Sequence, residues 1–138
     1  RKAPGFFDVV TYTGNGSART LAHSLGCVPG LIMTKRTDSA ENWCVYHRSI
    51  GAEKFLRLNS TNAAVDNVSR WNDTEPTSTH FSLKNSAETN DNGGTYVAYL
   101  FAGGESTASE AVSVDFTGTQ DQIIMILYIL DLVNLKYM

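Results

Sequence analysis

Three histidines, two cysteines and five loop carboxylates are the residues whose chemistry could serve catalysis or metal binding. The histidines, His23, His47 and His80, stand far apart and fit no metal-binding spacing such as His-Glu-x-x-His. Ser24 follows His23 directly, but neighbours along a strand point to opposite faces, so the two do not form a catalytic pair. No nucleophile elbow or phosphate-binding glycine loop is present. The sequence therefore predicts no catalytic residue, no metal site and no cofactor.

Paired carboxylates are what a polysaccharide hydrolase would need, at a separation of about 5 to 10 Å. The candidates are Asp66, Asp73, Glu75, Glu88 and Asp91. All of them fall in predicted loops, where no strand face positions them, so we interpret them as solvated surface charge. A polysaccharide-degrading enzyme is therefore the least favoured function. A calcium site at Asp66, Asp73 or Asp91 is left open, although no Asp-x-Asp-x-Asp run supports it.

The two cysteines, Cys27 and Cys44, lie 17 residues apart in strand-like surroundings. They do not form the Cys-x-x-Cys spacing of a metal or redox site. We predict two reduced and buried thiols, with a disulfide between them as the alternative.

A sugar-binding site has better support than an active site, because one polar stretch combines a stacking ring with planar hydrogen-bonding groups. This candidate ligand-binding stretch consists of Arg70, Trp71, Asn72 and Asp73. Trp43 and Tyr46 could play the same part on a predicted hairpin. The competing interpretation is structural: both tryptophans anchor the core or a loop, since an aromatic side chain buries roughly 150 to 250 Å².

Short strands must position these residues, because apolar side chains recur with a period of two over runs that end at Gly, Asn, Asp, Ser or Pro. The predicted strands are 6–13, 18–23, 31–37, 42–48, 54–59, 79–83, 95–101 and a last one through Val112, Val114 and Phe116. The strand 95–101 is apolar on both faces, which predicts a central position in a sheet. The fold class predicted is all-β, an antiparallel β-sandwich of jelly-roll type.

Three local patterns carry further structural predictions. Gly14-Asn15-Gly16 is typical of a tight hairpin between the first two strands. In 42–48, large side chains alternate on both faces, so we expect that hairpin to be covered on both sides. The polar stretch 60–79 is long for a structureless loop, and we expect its three large apolar residues to hold it against the core. These residues are Val65, Val68 and Trp71.

Composition narrows the range of partners. Only 18% of the 138 residues are charged and the net charge is −3, which gives no electrostatic footprint for DNA or RNA. The chain has no apolar run of about 18 residues, so membrane insertion is not expected.

The segment 123–138 differs from the rest, since thirteen of its sixteen residues are apolar. We divide the chain into a β-sandwich domain at 1–105, a linker with the last strand at 106–122, and an apolar tail at 123–138. The tail is predicted to contact a neighbouring copy or domain. The assembly residues predicted are Ile123, Ile126, Leu127 and Leu130. Folding onto the domain's own core and contact with a membrane are the alternatives.

Five stretches, in this order and spacing, carry a resemblance. They are RKAPGFFDVVTYTGNG at 1–16, HSLGCVPG at 23–30, NWCVYHRS at 42–49, WNDTEPT at 71–77 and GTYVAYLFA at 94–102. Over about residues 1–105 the chain resembles an uncharacterised β-rich domain of tail-fibre-like, receptor-binding proteins of marine phages. The resemblance implies a location on the virion surface and identifies no ligand.

We therefore expect a non-enzymatic virion surface protein, a tail-fibre or adhesin-type domain for attachment to host surface glycans. The alternative is a purely structural, oligomer-forming subunit of a fibre or capsid decoration, with no ligand of its own. The partners expected are further copies of the chain, with a trimer among the states considered, other virion proteins and a host surface glycan.

Overall fold

The computed structural model describes residues 2–104, and within that range the chain forms eight β-strands and no helix. The strands are β1 Phe7–Thr13, β2 Arg19–Ala22, β3 Pro29–Arg36, β4 Cys44–His47, β5 Lys54–Arg57, β6 Val65–Asp66, β7 His80–Leu83 and β8 Thr95–Ala102. Every pairing between them is antiparallel. The prediction of an all-β antiparallel sandwich is confirmed, and the seven strands predicted in this range differ from the observed bounds by one or two residues.

Two sheets make up the sandwich. The large sheet has six strands in the order β1-β8-β3-β4-β5-β6, and the small sheet pairs β2 with β7. Strand β8 lies between β1 and β3 and pairs with each of them over seven residues, which confirms its predicted place inside a sheet. Strand order does not follow chain order, so the first and last described strands are neighbours.

The core lies between the two sheets. Alternate residues of the large sheet, such as Ile32, Ala98 and Leu100, face inward and are fully buried. Leu21 and Phe81 of the small sheet belong to the same cluster of buried side chains. The odd-numbered residues of β1, β3 and β8 point the other way, and most of them are partly or fully exposed.

The predicted hairpin at Gly14-Asn15-Gly16 is wrong, because the strands on either side of it belong to different sheets. This turn instead bonds to the loop that precedes β8, with the Gly14 amide donating to the Gly94 carbonyl at 2.7 Å and the Gly16 amide to the Asn90 carbonyl at 2.9 Å. A Cβ atom on Gly14 would lie 2.1 Å from the Asp91 carbonyl oxygen, so only glycine fits this close approach.

The long polar loop is held by one of its three predicted anchors. Trp71 is 2% exposed and packs edge-on against Tyr46, with the ring centroids 6.0 Å apart. Val65 and Val68 are 42% and 38% exposed, so the prediction is wrong for them. Val65 lies in the two-residue strand β6, whose backbone pairs with that of β5 while the Val65 side chain stays exposed.

Both cysteines are buried and no disulfide joins them, as predicted, which excludes the disulfide alternative. Burial raises the pKa of the Cys44 thiol far above its ordinary value, so this thiol stays protonated. The predicted last strand through Val112, Val114 and Phe116 lies outside the described residues. So do the predicted assembly residues of the tail, Ile123, Ile126, Leu127 and Leu130.

Glu88 is a buried ionic hub rather than the solvated loop charge that we expected, since it is only 3% exposed. Its carboxylate accepts from Arg57 Nε at 2.7 Å, from Arg70 Nη2 at 2.8 Å and from Asn42 Nδ2 at 3.1 Å. Burial alone would raise the pKa of Glu88, but these hydrogen bonds outweigh it and bring the pKa below its usual range. The Glu88 carboxylate therefore stays ionised, and it holds the side chains of Arg57 and Arg70 at the end of the core.

His23 directly follows β2, and its buried imidazole ring is in the neutral form. Its Nε2–H donates to the Thr77 carbonyl at 3.1 Å, and its Nδ1 accepts from the Leu25 amide at 3.3 Å. Burial lowers the pKa of His23, while the nearby Asp8 carboxylate acts in the opposite direction. Protonation would set an Nδ1–H against the Leu25 N–H, so the charged ring does not fit this site.

Removing the Glu88 carboxylate is expected to destabilise the fold strongly. Glu88→Ala leaves two mostly buried arginines without their counter-charge, which typically costs about 3 to 5 kcal/mol. Urea unfolding followed by tryptophan fluorescence measures this loss. Glu53→Ala, which removes an exposed glutamate, is the matched control and should change stability by less than about 0.5 kcal/mol. Equal stabilities of the two variants would contradict the role of the hub.

The free energy of unfolding is expected to fall as the pH drops from 7 to 5. The folded-state pKa of His23 is lower than its unfolded value of 6.5, so the unfolded chain binds more protons in this window and stability is lost with acidification. The slope per proton is at most about 1.4 kcal/mol per pH unit. His23→Ala should flatten the profile. A His23→Ala profile as steep as that of the wild type would refute this assignment.

Candidate functional site

The candidate ligand-binding stretch 70–73 does not form one exposed surface. The Trp71 ring is buried, so no ligand can stack on it, which agrees with its interpretation as an anchor. Arg70 is committed to Glu88, and its guanidinium lies 4.2 Å from the centre of the Phe55 ring. Asn72 and Asp73 adopt left-handed backbone angles, with φ of 56° and 47°, in a surface turn. Ligand binding at this stretch stays a prediction for Asn72 and Asp73 alone.

The other predicted carboxylates do not converge on a cleft either. Glu75 accepts from the Tyr46 hydroxyl at 2.5 Å and from the Ala52 amide at 2.8 Å, and it thereby ties its loop to the large sheet. Asp91 pairs with Arg36 at 2.9 Å. Among residues 2–104, no three histidine, cysteine or acidic side chains come together in a way that could hold a metal ion.

The sequence reasoning missed one buried acid, Asp8, in the first strand. Its side chain is fully buried and accepts from the Ser24 amide at 2.6 Å and from the Val9 amide at 2.8 Å, while Lys2 approaches it at 2.8 Å. These contacts outweigh burial and lower the pKa of Asp8. Asp8 therefore fixes the chain at the start of β1, and its alternation with Phe7 and Val9 was the only local signal that it points inward.

The outer face of the large sheet is the broadest candidate surface. We define it as the side-chain row that points away from the small sheet: Phe7, Val9, Thr11, Thr13, Leu31, Met33, Lys35, Trp43, Val45, His47, Lys54, Leu56, Leu58, Thr95, Val97, Tyr99 and Phe101. The six-stranded sheet thus has a second apolar face besides the core. No strand of the described residues packs on it, and Leu58 is 61% exposed.

Four aromatic rings form a row across this outer face. Trp43 stacks on Tyr99 with a centroid distance of 6.1 Å, Tyr99 on Phe7 at 6.3 Å, and Phe7 meets Phe101 at 5.0 Å. All four side chains are partly exposed. On the outer side of strand 42–48, Val45 is 6% exposed while Trp43 is only partly buried and His47 is exposed, so residues of the described range cover that side in part. The row has the chemistry of a flat contact platform, since each ring offers an apolar surface with little side-chain entropy to lose.

One end of the outer face is polar and hydroxyl-rich. Thr11 and Thr13 of β1 lie beside Thr95 of β8, and the Thr95 hydroxyl bonds to that of Thr37 at 2.7 Å. A shallow cleft of about 520 Å³ opens here. Its lining consists of Thr11, Tyr12, Thr13, Thr37, Thr95, Tyr96 and Val97. The outer face therefore offers apolar rings along its length and hydrogen-bonding hydroxyls at one margin.

The aromatic row could not be predicted from the sequence, because it depends on which strands are neighbours in the sheet. Trp43, Phe7 and Tyr99 are far apart in the chain, and only the order β1-β8-β3-β4 brings them onto neighbouring strands. The alternation in 42–48 placed Trp43 and Val45 on one face, which was the local part of the signal. Which strands lie beside that face is a long-range property.

Comparison with known proteins gives a family without an assigned activity. No curated protein and no solved structure matches the chain. The described residues contain no helix that could cross a lipid bilayer. A family model described as "Domain of unknown function (DUF7483)" matches residues 2–121, which is most of the chain. With all of β1 to β8 inside the match, the chain belongs to this family.

Proposed function

We propose that this domain is a non-enzymatic attachment module of a virion surface, of the tail-fibre or adhesin type, which binds host surface glycans. The observation that carries the proposal is the partly exposed aromatic row on the outer face, Trp43–Tyr99–Phe7–Phe101. The resemblance of residues 1–105 to receptor-binding phage proteins supplies the virion context. The proposed role is contact with a ligand and involves no bond cleavage.

Sugar rings fit the chemistry of the outer face in two ways. Their C–H faces pack on aromatic rings, and rings with centroids 5.0 to 6.3 Å apart would support several successive sugar units. Their hydroxyl groups need donors and acceptors, which the threonine side chains at the margin supply in both senses. A flat, preformed sheet loses little conformational freedom on binding, which favours affinity from a few contacts.

Removal of a single aromatic side chain from the row on the outer face is expected to weaken glycan binding. Tyr99→Ala and Trp43→Ala should each reduce affinity about fivefold to tenfold, because an aromatic contact contributes roughly 1 kcal/mol. Binding to immobilised host-cell surface polysaccharide is measured by biolayer interferometry, and circular dichroism confirms that each variant is folded. Phe6→Ala is the matched control, since Phe6 is 60% exposed and lies outside the outer face.

Two results would contradict this function. One is a wild-type domain that binds no member of a glycan array and no host-cell polysaccharide. The other is shortening of the polysaccharide during incubation, seen by size-exclusion chromatography, which would indicate an enzyme.

A purely structural virion subunit is the second candidate, and the aliphatic part of the outer face favours it. Leu31 and Met33 of β3 lie beside Phe101 and Tyr99, and Leu56 of β5 lies beside Val45. A mixture of aromatic residues and methionine is typical of protein interfaces. Sedimentation of the chain with and without residues 123–138 tests the role of the tail in such assembly. An unchanged oligomeric state after truncation would contradict that role.

A further inference from the structure

Among the strands of residues 2–104, β1 is an edge of the large sheet, and its ladder with β8 uses only every second residue. The ladder is bounded by the Ala102 amide donating to the Phe6 carbonyl and by the Gly14 amide donating to the Gly94 carbonyl. In an antiparallel pair, bonded positions alternate, so the even-numbered residues of β1 bond to β8. The backbone groups of the odd-numbered residues point away from β8, toward the open edge.

Local contacts satisfy the outward groups at both ends of this edge. At the start, the Phe7 amide donates to the Ala3 carbonyl at 2.7 Å, and the Val9 amide donates to Asp8 Oδ1 at 2.8 Å. At the far end, Arg19 Nη1 donates to the Thr13 carbonyl at 2.9 Å. Between them lie the Val9 carbonyl, the Thr11 amide and carbonyl, and the Thr13 amide, to which no residue of 2–104 is hydrogen-bonded.

Nothing in the sequence of this edge prevents pairing. Residues 9–13 are Val-Val-Thr-Tyr-Thr, which favour strand conformation and include no proline, glycine or charged residue. Exposed edges are usually shortened, charged or interrupted to avoid association. The opposite edge of the same sheet follows that rule, since β6 is only two residues long. Thr11 and Thr13 are both exposed, so the edge is accessible to an incoming strand.

We propose that this edge is a homodimer interface, in which a second copy of the chain adds its own β1 antiparallel to the first. A twofold axis at Thr11 gives the register. The Thr11 amide of each copy donates to the Thr11 carbonyl of the other, and the Thr13 amide of each donates to the Val9 carbonyl of the other. These four hydrogen bonds use all of the open groups, and the two large sheets become one twelve-stranded sheet.

A second copy is the occupant that the edge favours, because its open groups are complementary to themselves. Two donors and two acceptors are arranged symmetrically about Thr11, which is the requirement of an isologous twofold contact. The side chains agree with this register, since Val9, Thr11 and Thr13 all lie on the outer face and would continue it across the axis. The interface uses backbone groups, and its test by sedimentation requires no glycan.

Charge variants at Thr11 test the interface, since in this register Thr11 lies opposite itself, with Cα atoms about 5.5 Å apart. The full chain should sediment as a dimer. Thr11→Lys and Thr11→Asp should each sediment as monomers because like charges meet, and an equimolar mixture of the two should restore the dimer. Thr20→Lys, at an exposed threonine of β2, is the matched control and should remain dimeric.

A backbone variant separates loss of pairing from loss of fold. Thr11→Pro removes an amide that does not bond to β8, so the circular dichroism spectrum should be preserved while the dimer is lost. A monomeric wild-type chain would overturn the proposal. So would Thr11 variants that keep the wild-type oligomeric state, or a mixture of the two charge variants that stays monomeric.

Discussion

The buried carboxylate of Glu88 is the constraint on which the arrangement of the loops depends. It brings together Asn42 before β4, Arg57 of β5 and Arg70 of the long loop, which lie 46, 31 and 18 residues away in the chain. Two guanidinium groups at the edge of a core are stable only if their charge is matched there. The hub therefore fixes the loop of Trp71 to strand β5 of the large sheet, and Trp71 then closes that end of the core.

The two faces of the large sheet differ in their side chains and in what covers them. The small sheet β2-β7 and the loops cover the inner face, while the outer face carries mainly apolar and hydroxyl side chains, with Lys35 of β3 near the rings. No strand of residues 2–104 packs on the outer face, and Trp43, Tyr99 and Phe101 are partly exposed there. Contact with a partner, as proposed above, would bury these rings.

Periodicity predicted the parts of this structure that are local. The period of two located seven strands, and the two-sided apolar pattern of β8 indicated its central place. The failures were long-range: Gly14-Asn15-Gly16 has a hairpin sequence, yet β1 pairs with β8, some ninety residues later. Glu88 resembled solvated charge because its arginine partners are distant in the chain. The residues around Trp71 are of the types found in sugar-binding sites. Whether the Trp71 ring is buried or can stack on a sugar depends on which sheet its loop packs against, and the sequence does not show this.

Edge and face are linked by the alternation of β1. Its inward side chains, Asp8, Val10 and Tyr12, face the core, and its outward side chains extend the outer face. Its outward backbone groups form an edge among the described residues. A shift of β1 by one residue would turn Asp8 away from its contacts. The register of β1, and with it the set of backbone groups at the edge, is therefore fixed. Pairing about Thr11 would place two outer faces side by side on one sheet. A polymer that binds weakly to each face would then gain from the proximity of the second, since linked sites raise the effective concentration.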